Sequence, residues 1–465
     1  MKRSSLIYLA FDQVDIRRIF KERIISLNIG EQTLARQMKN FFTTVLFICL
    51  MQSSYTQHPS DTCHYGLPVF PEVSGFGLDS KGGKNGRIIK VTTLDREGPG
   101  SLLEAIKSDG PRIIVFEVAG VIDLERNTLR IVEPYISIAG QTAPFPGITV
   151  IKGGISIGTH DVIIQHIKVR PGEAGQEKKS GWEVDGISTS GGAYDVIIDH
   201  CSLTWATDEN LSASGPRFEG KDIEEWRKNT SHNIVFSNCI IAEGLSNSTH
   251  IKGEHSKGSL IHDNATGILL LGNLFANNKR RNPYCKGGTQ VVIINNYIFN
   301  PGAAAIHYGL VSSEWEGLDW VKGKIVSVGN YIEYGKDTQG SVSGGSFQNG
   351  PVEVFWQDNY INAKGKVRVL SGDYDLQESP SIWPEGLEAQ PASNVKNSVL
   401  KNAGAFPWNR DDVDKRIITE VQCGTGRIID SEMEVGGYPF YEPVFKKFEI
   451  EEWDLNTLTK TQKNH

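Results

Sequence analysis

Gln290-Val-Val-Ile-Ile-Asn-Asn-Tyr-Ile-Phe299 joins a β-branched run, two asparagines and a second apolar run. A strand that is apolar on both faces suits a parallel sheet covered on each side better than a half-exposed hairpin. The tail of this stretch comes back along the chain as Gly272-Asn273-Leu274-Phe275, Gly329-Asn330-Tyr331-Ile332 and Asp358-Asn359-Tyr360-Ile361. The asparagines at 273, 296, 330 and 359 are 23, 34 and 29 residues apart, and Asn238 lies 35 before the first. A period of roughly 20–40 residues with one strand–turn unit per repeat marks a solenoid. Short strand, asparagine in a tight left-handed turn, short strand: this order predicts an all-β, right-handed parallel β-helix with the asparagines stacked as a ladder. Sandwiches and propellers fit less well, because strict alternation and Asn-Gly or Asp-Gly hairpin turns are scarce.

Outward from that stretch, brief β-branched segments recur at 112–117, 135–138, 147–151, 161–169, 194–201, 233–241, 267–271, 324–328 and 352–356. Ahead of them, Ser101 followed by Glu104, with Leu102, Ala105 and Ile106 on one face, predicts a short helix that closes the N-terminal end of the coil. The glycine-rich lead-in from Gly75 lacks the Lys-Ser/Thr pair and following helix of a phosphate loop, and it reads as a turn. Polar insertions gather at 171–184, 213–231, 243–263 and 302–323, as loops on one face of a solenoid do when they build a binding cleft. From 391 the pattern is lost, and residues up to about 440 read as a terminal wrap over the last coils. The expected organisation is one domain over 58–440 with a tail at 441–465.

Residues 38–51 form a basic start followed by about ten mostly apolar residues, the form of a secretory signal peptide. Met38 is then the expected start, residues 1–37 an extension, and the protein an exported one. The apolar run is too short for a membrane span of roughly 20 residues. A formal net charge of −7 argues against nucleic acid as partner and requires local basic groups or bridging cations for any acidic polymer. Six cysteines are too sparse for a disulfide scaffold. Cys201 and Cys239 read as small buried hydrophobes, with a bridge between them as the alternative.

Two places carry chemistry. In Val196-Ile-Ile-Asp-His-Cys-Ser-Leu-Thr-Trp-Ala-Thr-Asp-Glu-Asn-Leu-Ser212, Asp199 and Asp208 are carboxylates that a packed strand would not choose. They either cap turns or converge on the outer face as oxygen ligands for a hard cation such as Ca²⁺, with Asp185 as a further candidate. Downstream, Lys279, Arg280, Arg281 and Lys286 put four cations into eight residues of an otherwise acidic chain. They form either a solvated turn or the receptor of an anionic ligand.

Ile-Ile-Asp199-His-Cys-Ser-Leu with Asp208 nine residues on, Arg281-Asn-Pro-Tyr-Cys-Lys286-Gly-Gly after the Gly-Asn273 tail, Gly-Ser101-Leu-Leu-Glu-Ala-Ile and Gly140-Gln-Thr-Ala-Pro together resemble the pectate lyases of the right-handed parallel β-helix type over residues 75–440. The resemblance implies calcium-assisted β-elimination on 1,4-linked galacturonan. The positions of Asp199, Asp208 and Ser212 would hold Ca²⁺, Arg281 would take the C5 proton, and Lys257, Lys286 and Arg280 would bind sugar carboxylates. Ser212 stands where the family usually has a second Asp, and Lys286 replaces the more usual Arg, keeping the charge without the fork. Lys252 competes with Lys257 for its role. A pectin lyase acting on methyl esters, a β-helical galacturonan hydrolase using paired carboxylates, and a non-catalytic pectin-binding protein are the alternatives. A monomer is expected.

Overall fold

The computed structural model describes residues 73–454 and 457–461; the leader expected at 38–57, the extension before it, and Cys49 and Cys63 lie outside them. Three long parallel sheets run the length of the coil, with one strand of each contributed per turn. One turn shows the plan. Tyr194–Asp199 lies in the first sheet, Ser202–Thr204 in the third and Glu209–Ala213 in the second. The chain then returns to the first sheet at His232–Ser237.

Parallel pairing in register stacks like side chains on like. Ile114, Ile138, Ile164, Ile198, Phe236, Leu270 and Ile293 sit one above another in the first sheet and fill the coil interior. Their neighbours Ile113, Ile163, Ile197, Val235, Leu269 and Val292 point outward, yet they are buried too. Phe448, Trp453 and Leu458 of the C-terminal tail, with Phe76 and Leu78 of the lead-in and Leu387, pack with that outer face, which is why these strands are apolar at every position instead of alternating. The glycine-rich lead-in lies against the same sheet: a Cβ on Gly83 would fall 1.9 Å from the carbonyl oxygen of Arg112.

The asparagine ladder is present, with the roles divided between two residues. The left-handed residues are His166, His200, Asn238, Gly272, Asn295, Gly329 and Asp358, each with φ between 47° and 67°. The next residue makes the ladder. Asn273 Nδ2 donates to Asn296 Oδ1 (2.9 Å), Asn296 Nδ2 to Asn330 Oδ1 (3.0 Å), and Asn330 Nδ2 to Asn359 Oδ1 (2.8 Å). Cys201 and Cys239 occupy the earlier rungs as buried free thiols, and the Cys201 amide donates to Cys239 Sγ (3.4 Å). Asn238 therefore belongs to the turn and not to the ladder. Asn296→Ala is expected to lower stability by about 2 kcal/mol, because it orphans the Asn273 and Leu270 groups that Asn296 satisfies; chemical denaturation measures it.

The helix Leu102–Lys107 has Ser101 Oγ accepting from the Glu104 amide at 3.2 Å. Leu102, Ala105 and Ile106 pack into the interior cluster with Val91 and Ile114. The residues after 391 start on the last coils, where the Ala392 amide donates to Asp358 Oδ2 (2.9 Å) and Lys396 Nζ to Glu333 Oε2 (2.7 Å), and then run back toward the first turns. Helices Ala392–Asn402 and Asp412–Cys423 pack along the outer face of the third sheet, placing Val395, Val399, Ile417 and Val421 on Ile240, Leu274 and Tyr297. Val444–Phe445 then pairs antiparallel with Val118–Ala119 at the first turns. Buried Arg170 ties this return to the coil through Asp411 (2.9 Å) and Asp414 (2.9 Å).

Candidate active site

The second sheet carries the cleft. On one side it is entered from the third sheet through 171–186, 243–256 and 277–283; on the other it leaves for the first sheet through 214–231 and 310–322. Long insertions thus stand on both flanks of its outer face. The floor is a row of aligned outward residues: Ser188, Ser212, Leu260, Tyr284, His307 and Ser346. Two adjoining hollows of about 470 and 410 Å³ follow this row, sharing Arg281, Tyr284 and Val311 in their walls.

Asp185, Asp208 and Glu209 bring carboxylate oxygens within 4.8 Å of one another at the first hollow. The turn that opens the strand Glu209–Ala213 makes this convergence. The Glu209 amide donates to Asp185 Oδ1 (3.0 Å) and Ser212 Oγ donates to Asp185 Oδ2 (2.7 Å). Burial, and then the neighbouring Asp208 charge, push the Asp185 carboxyl up to about 7. Burial acts the same way on Asp208, but the hydrogen bond from His255 Nε2 (2.9 Å) and the charges of His255, Arg281 and His250 together outweigh it and hold Asp208 below the usual carboxylate range. His250 stacks on His255 with ring centres 3.5 Å apart.

Arg281 faces this group. It forms an ion pair with Glu209, and its backbone adopts φ +64°, a conformation that costs a non-glycine residue of order 1 kcal/mol or more and that clusters at functional sites. Asn278 and Asn282 hold it there: Asn278 Nδ2 donates to the Ile241 carbonyl (2.9 Å) and Asn282 Nδ2 to the Ala304 carbonyl (2.9 Å). Burial lowers the Arg281 pKa from its ordinary value, and the attraction of Asp208 and the other nearby acidic groups opposes this without cancelling it. Lys257 and Arg280 line the second hollow, with Lys257 pushed down to about 8 by burial and by Arg280. Lys286 forms the opposite wall of the first hollow and pairs with Asp263 (3.1 Å) and with Glu314.

Fungal proteins named probable pectate lyase C, from Emericella nidulans (32% identical over 384 residues, covering 80% of each chain) and Aspergillus terreus (32% over 389 residues, 81% and 83%), are similar to this chain. No family model matches.

The chain belongs to the pectate lyase family.

Among solved structures, the cedar pollen allergen Jun a 1 shares the fold at a TM-score of 0.52 and 16% identity, over 71% of this chain and 92% of its own.

Of the sequence-predicted residues, Asp185, Asp208, Ser212, Arg281 and Lys286 share the first hollow of this pectate lyase chain, while Lys257 and Arg280 stand in the next. Lys252, the competitor of Lys257, is also at the first hollow. Asp199 is not with them. It ends a first-sheet strand at the turn into the third sheet, and its carboxylate accepts from Gln165 Nε2 (3.0 Å), Ser237 Oγ (2.8 Å) and Asn238 Nδ2 (3.1 Å) and pairs with His200 Nδ1 (2.8 Å). With its lone pairs engaged in tying adjacent turns together, it is a structural carboxylate and not a cation ligand.

Burial opposes its ionisation, but His200 and the other donors hold its carboxyl well below the ordinary range. A depressed carboxyl contributes stability that is present above the unfolded pKa, near 4, and lost as pH falls toward the folded value. Asp199→Ala is expected to cost about 3 kcal/mol without changing cation affinity, as thermal unfolding with and without added cation would show.

His250, His255, Asp263 and Glu314 escaped the sequence reading because they sit in insertions with no periodic signal. The loop tryptophans Trp205 and Trp315 are buried; Trp315 Nε1 donates to Asp263 Oδ1 at 2.7 Å.

Proposed function

We infer that the protein is a calcium-assisted pectate lyase, cleaving 1,4-linked galacturonan by β-elimination. The observation that carries this reading is Arg281, half-buried and held in a strained backbone conformation, set directly against the carboxylates of Asp185, Asp208 and Glu209. Three clustered carboxylate oxygens suit a hard divalent cation better than a softer metal, so the donor set fits calcium, held by Asp185 and Asp208 with Glu209 and Ser212 at its margin. When bound, the cation would neutralise negative charge on the uronate and so make the C5 proton more acidic.

The chain's own residues do the rest. Arg281, its pKa already depressed by burial, accepts the C5 proton. The electron pair forms the C4–C5 double bond and the glycosidic oxygen leaves from C4, giving a 4,5-unsaturated end. Lys257 and Arg280 hold a sugar carboxylate in the adjoining hollow, and Lys286 flanks the first. The stacked pair Tyr284 and His307, with ring centres 3.9 Å apart, forms the floor between them.

An uncharged methyl-ester substrate would need neither the carboxylates nor this density of cations, which favours pectate over pectin. We further propose that residues 58–440 act as one exported, monomeric catalytic domain; among the described residues no helix is long and apolar enough to cross a membrane. Mass analysis of digested polygalacturonate tests the reaction class. Unsaturated oligomers support the lyase, whereas saturated oligomers, carrying one added water, would replace it with a hydrolase.

A further inference from the structure

Resting on the lyase reading, we propose that Glu314 sets the charge preference of the cleft, occupying Lys286 in place of a substrate carboxylate so that the sugar beside Lys286 is accepted with its carboxyl esterified. Lys286 is buried and paired with both Asp263 and Glu314, and Arg217 pairs with the same two carboxylates, at 2.6 Å to Glu314 and 3.4 Å to Asp263. Two cations and two carboxylates leave this wall without formal charge. His262 adds none at neutral pH, since burial keeps its pKa below the ordinary value.

The two carboxylates differ in kind. Asp263 is built into the coil: its side chain is fully buried, and it accepts from the Gly287 amide (3.1 Å) and from Trp315 Nε1 (2.7 Å). Glu314 belongs to the exposed turn Ser312–Trp315, anchored through buried Trp315, and its own side chain is 36% exposed where it borders the hollow. A uronate entering beside Lys286 therefore meets an ammonium already matched by a carboxylate from the chain and gains little by bringing its own charge. A methyl-esterified residue loses nothing there. At the carboxylate cluster and at Lys257 the need for a free uronate remains, so the expected substrate is partly esterified, with free carboxylates at some sugars and an ester at another.

The test uses the full chain with Ca²⁺ on polygalacturonate and on pectins of graded methyl esterification, reading kcat and KM from the absorbance of unsaturated product. The wild type should have its highest kcat/KM at intermediate esterification. Glu314→Gln, which keeps the shape and removes the charge, should lower KM on polygalacturonate by about fivefold, the worth of a partly exposed ion pair, and move the optimum toward unesterified polymer with kcat little changed. Glu314→Asp should restore the wild-type profile. An esterification profile identical in wild type and Glu314→Gln would overturn the role of Glu314, as would a wild type already most active on unesterified pectate. No unsaturated product from the wild type on any of the polymers would overturn the lyase reading and this inference with it.

Discussion

Arg281→Lys is expected to lower kcat on polygalacturonate by about a thousandfold or more, the range lost with a positioned general base, while binding of oligogalacturonates changes little. A lysine keeps the charge and much of the length, so the pairing with Glu209 survives. It does not place a proton-accepting nitrogen where the guanidinium sits, and its flexible stem is not fixed by the φ +64° backbone set between Asn278 and Asn282. Steady-state kinetics by product absorbance, beside calorimetry with an unsaturated trimer, separates the two effects. A parallel loss of binding would make Arg281 a substrate clamp.

The same site fixes the pH dependence. Asp185, raised to about 7, must be ionised to hold a cation, so cation affinity increases as pH rises through that value. Arg281 is lowered by burial, and its proton-accepting form grows with pH. Lys257, pushed down to about 8, keeps its charge for a sugar carboxylate below that value and surrenders it above. The expected kcat/KM profile climbs from about pH 7 to an alkaline maximum, with KM rising beyond about pH 8. A profile peaking below neutrality would remove Arg281 from the role of base.

Asp208→Asn carries the second large effect. It takes one full charge from a cluster in which Ser212 already stands for a carboxylate, and cation affinity in oxygen sites follows ligand charge over several decades. Calcium affinity should fall about a hundredfold. The readout is direct: a cation that binds only the folded protein raises its unfolding temperature by mass action. The calcium-dependent rise seen for the wild type should vanish in Asp208→Asn and persist in Asp199→Asn. The reverse pattern would return Asp199 to the cation site.

The fold was legible because register in a parallel solenoid copies one pattern many times. The spacing of Asn273, Asn296, Asn330 and Asn359 reports the coil directly. The ladder was harder to follow upstream, where Cys239 and Cys201 take the asparagine's place and Asn238 moves into the turn. The site was half legible. Asp208 and Arg281 stand out as charges beside apolar strands, and they do line the cleft. Asp199 stands out for the same reason and does something else: a carboxylate satisfied by four side chains and one left to bind a cation look alike in sequence. What separates them is which sheet each strand end reaches, and that depends on the turn at His200 and Cys201. Glu314 and His255 come from loops of irregular length, where no period fixes the position of a side chain.

The most direct test of the central claim is the ultraviolet absorbance of polygalacturonate incubated with the purified protein, with Ca²⁺ present and after its removal by chelator. The expected result is a steady rise from 4,5-unsaturated product in the presence of Ca²⁺, abolished by chelation and restored by adding the cation back. Chain cleavage with no rise in absorbance, or a rise indifferent to Ca²⁺, would contradict a lyase built on Asp185, Asp208 and Arg281.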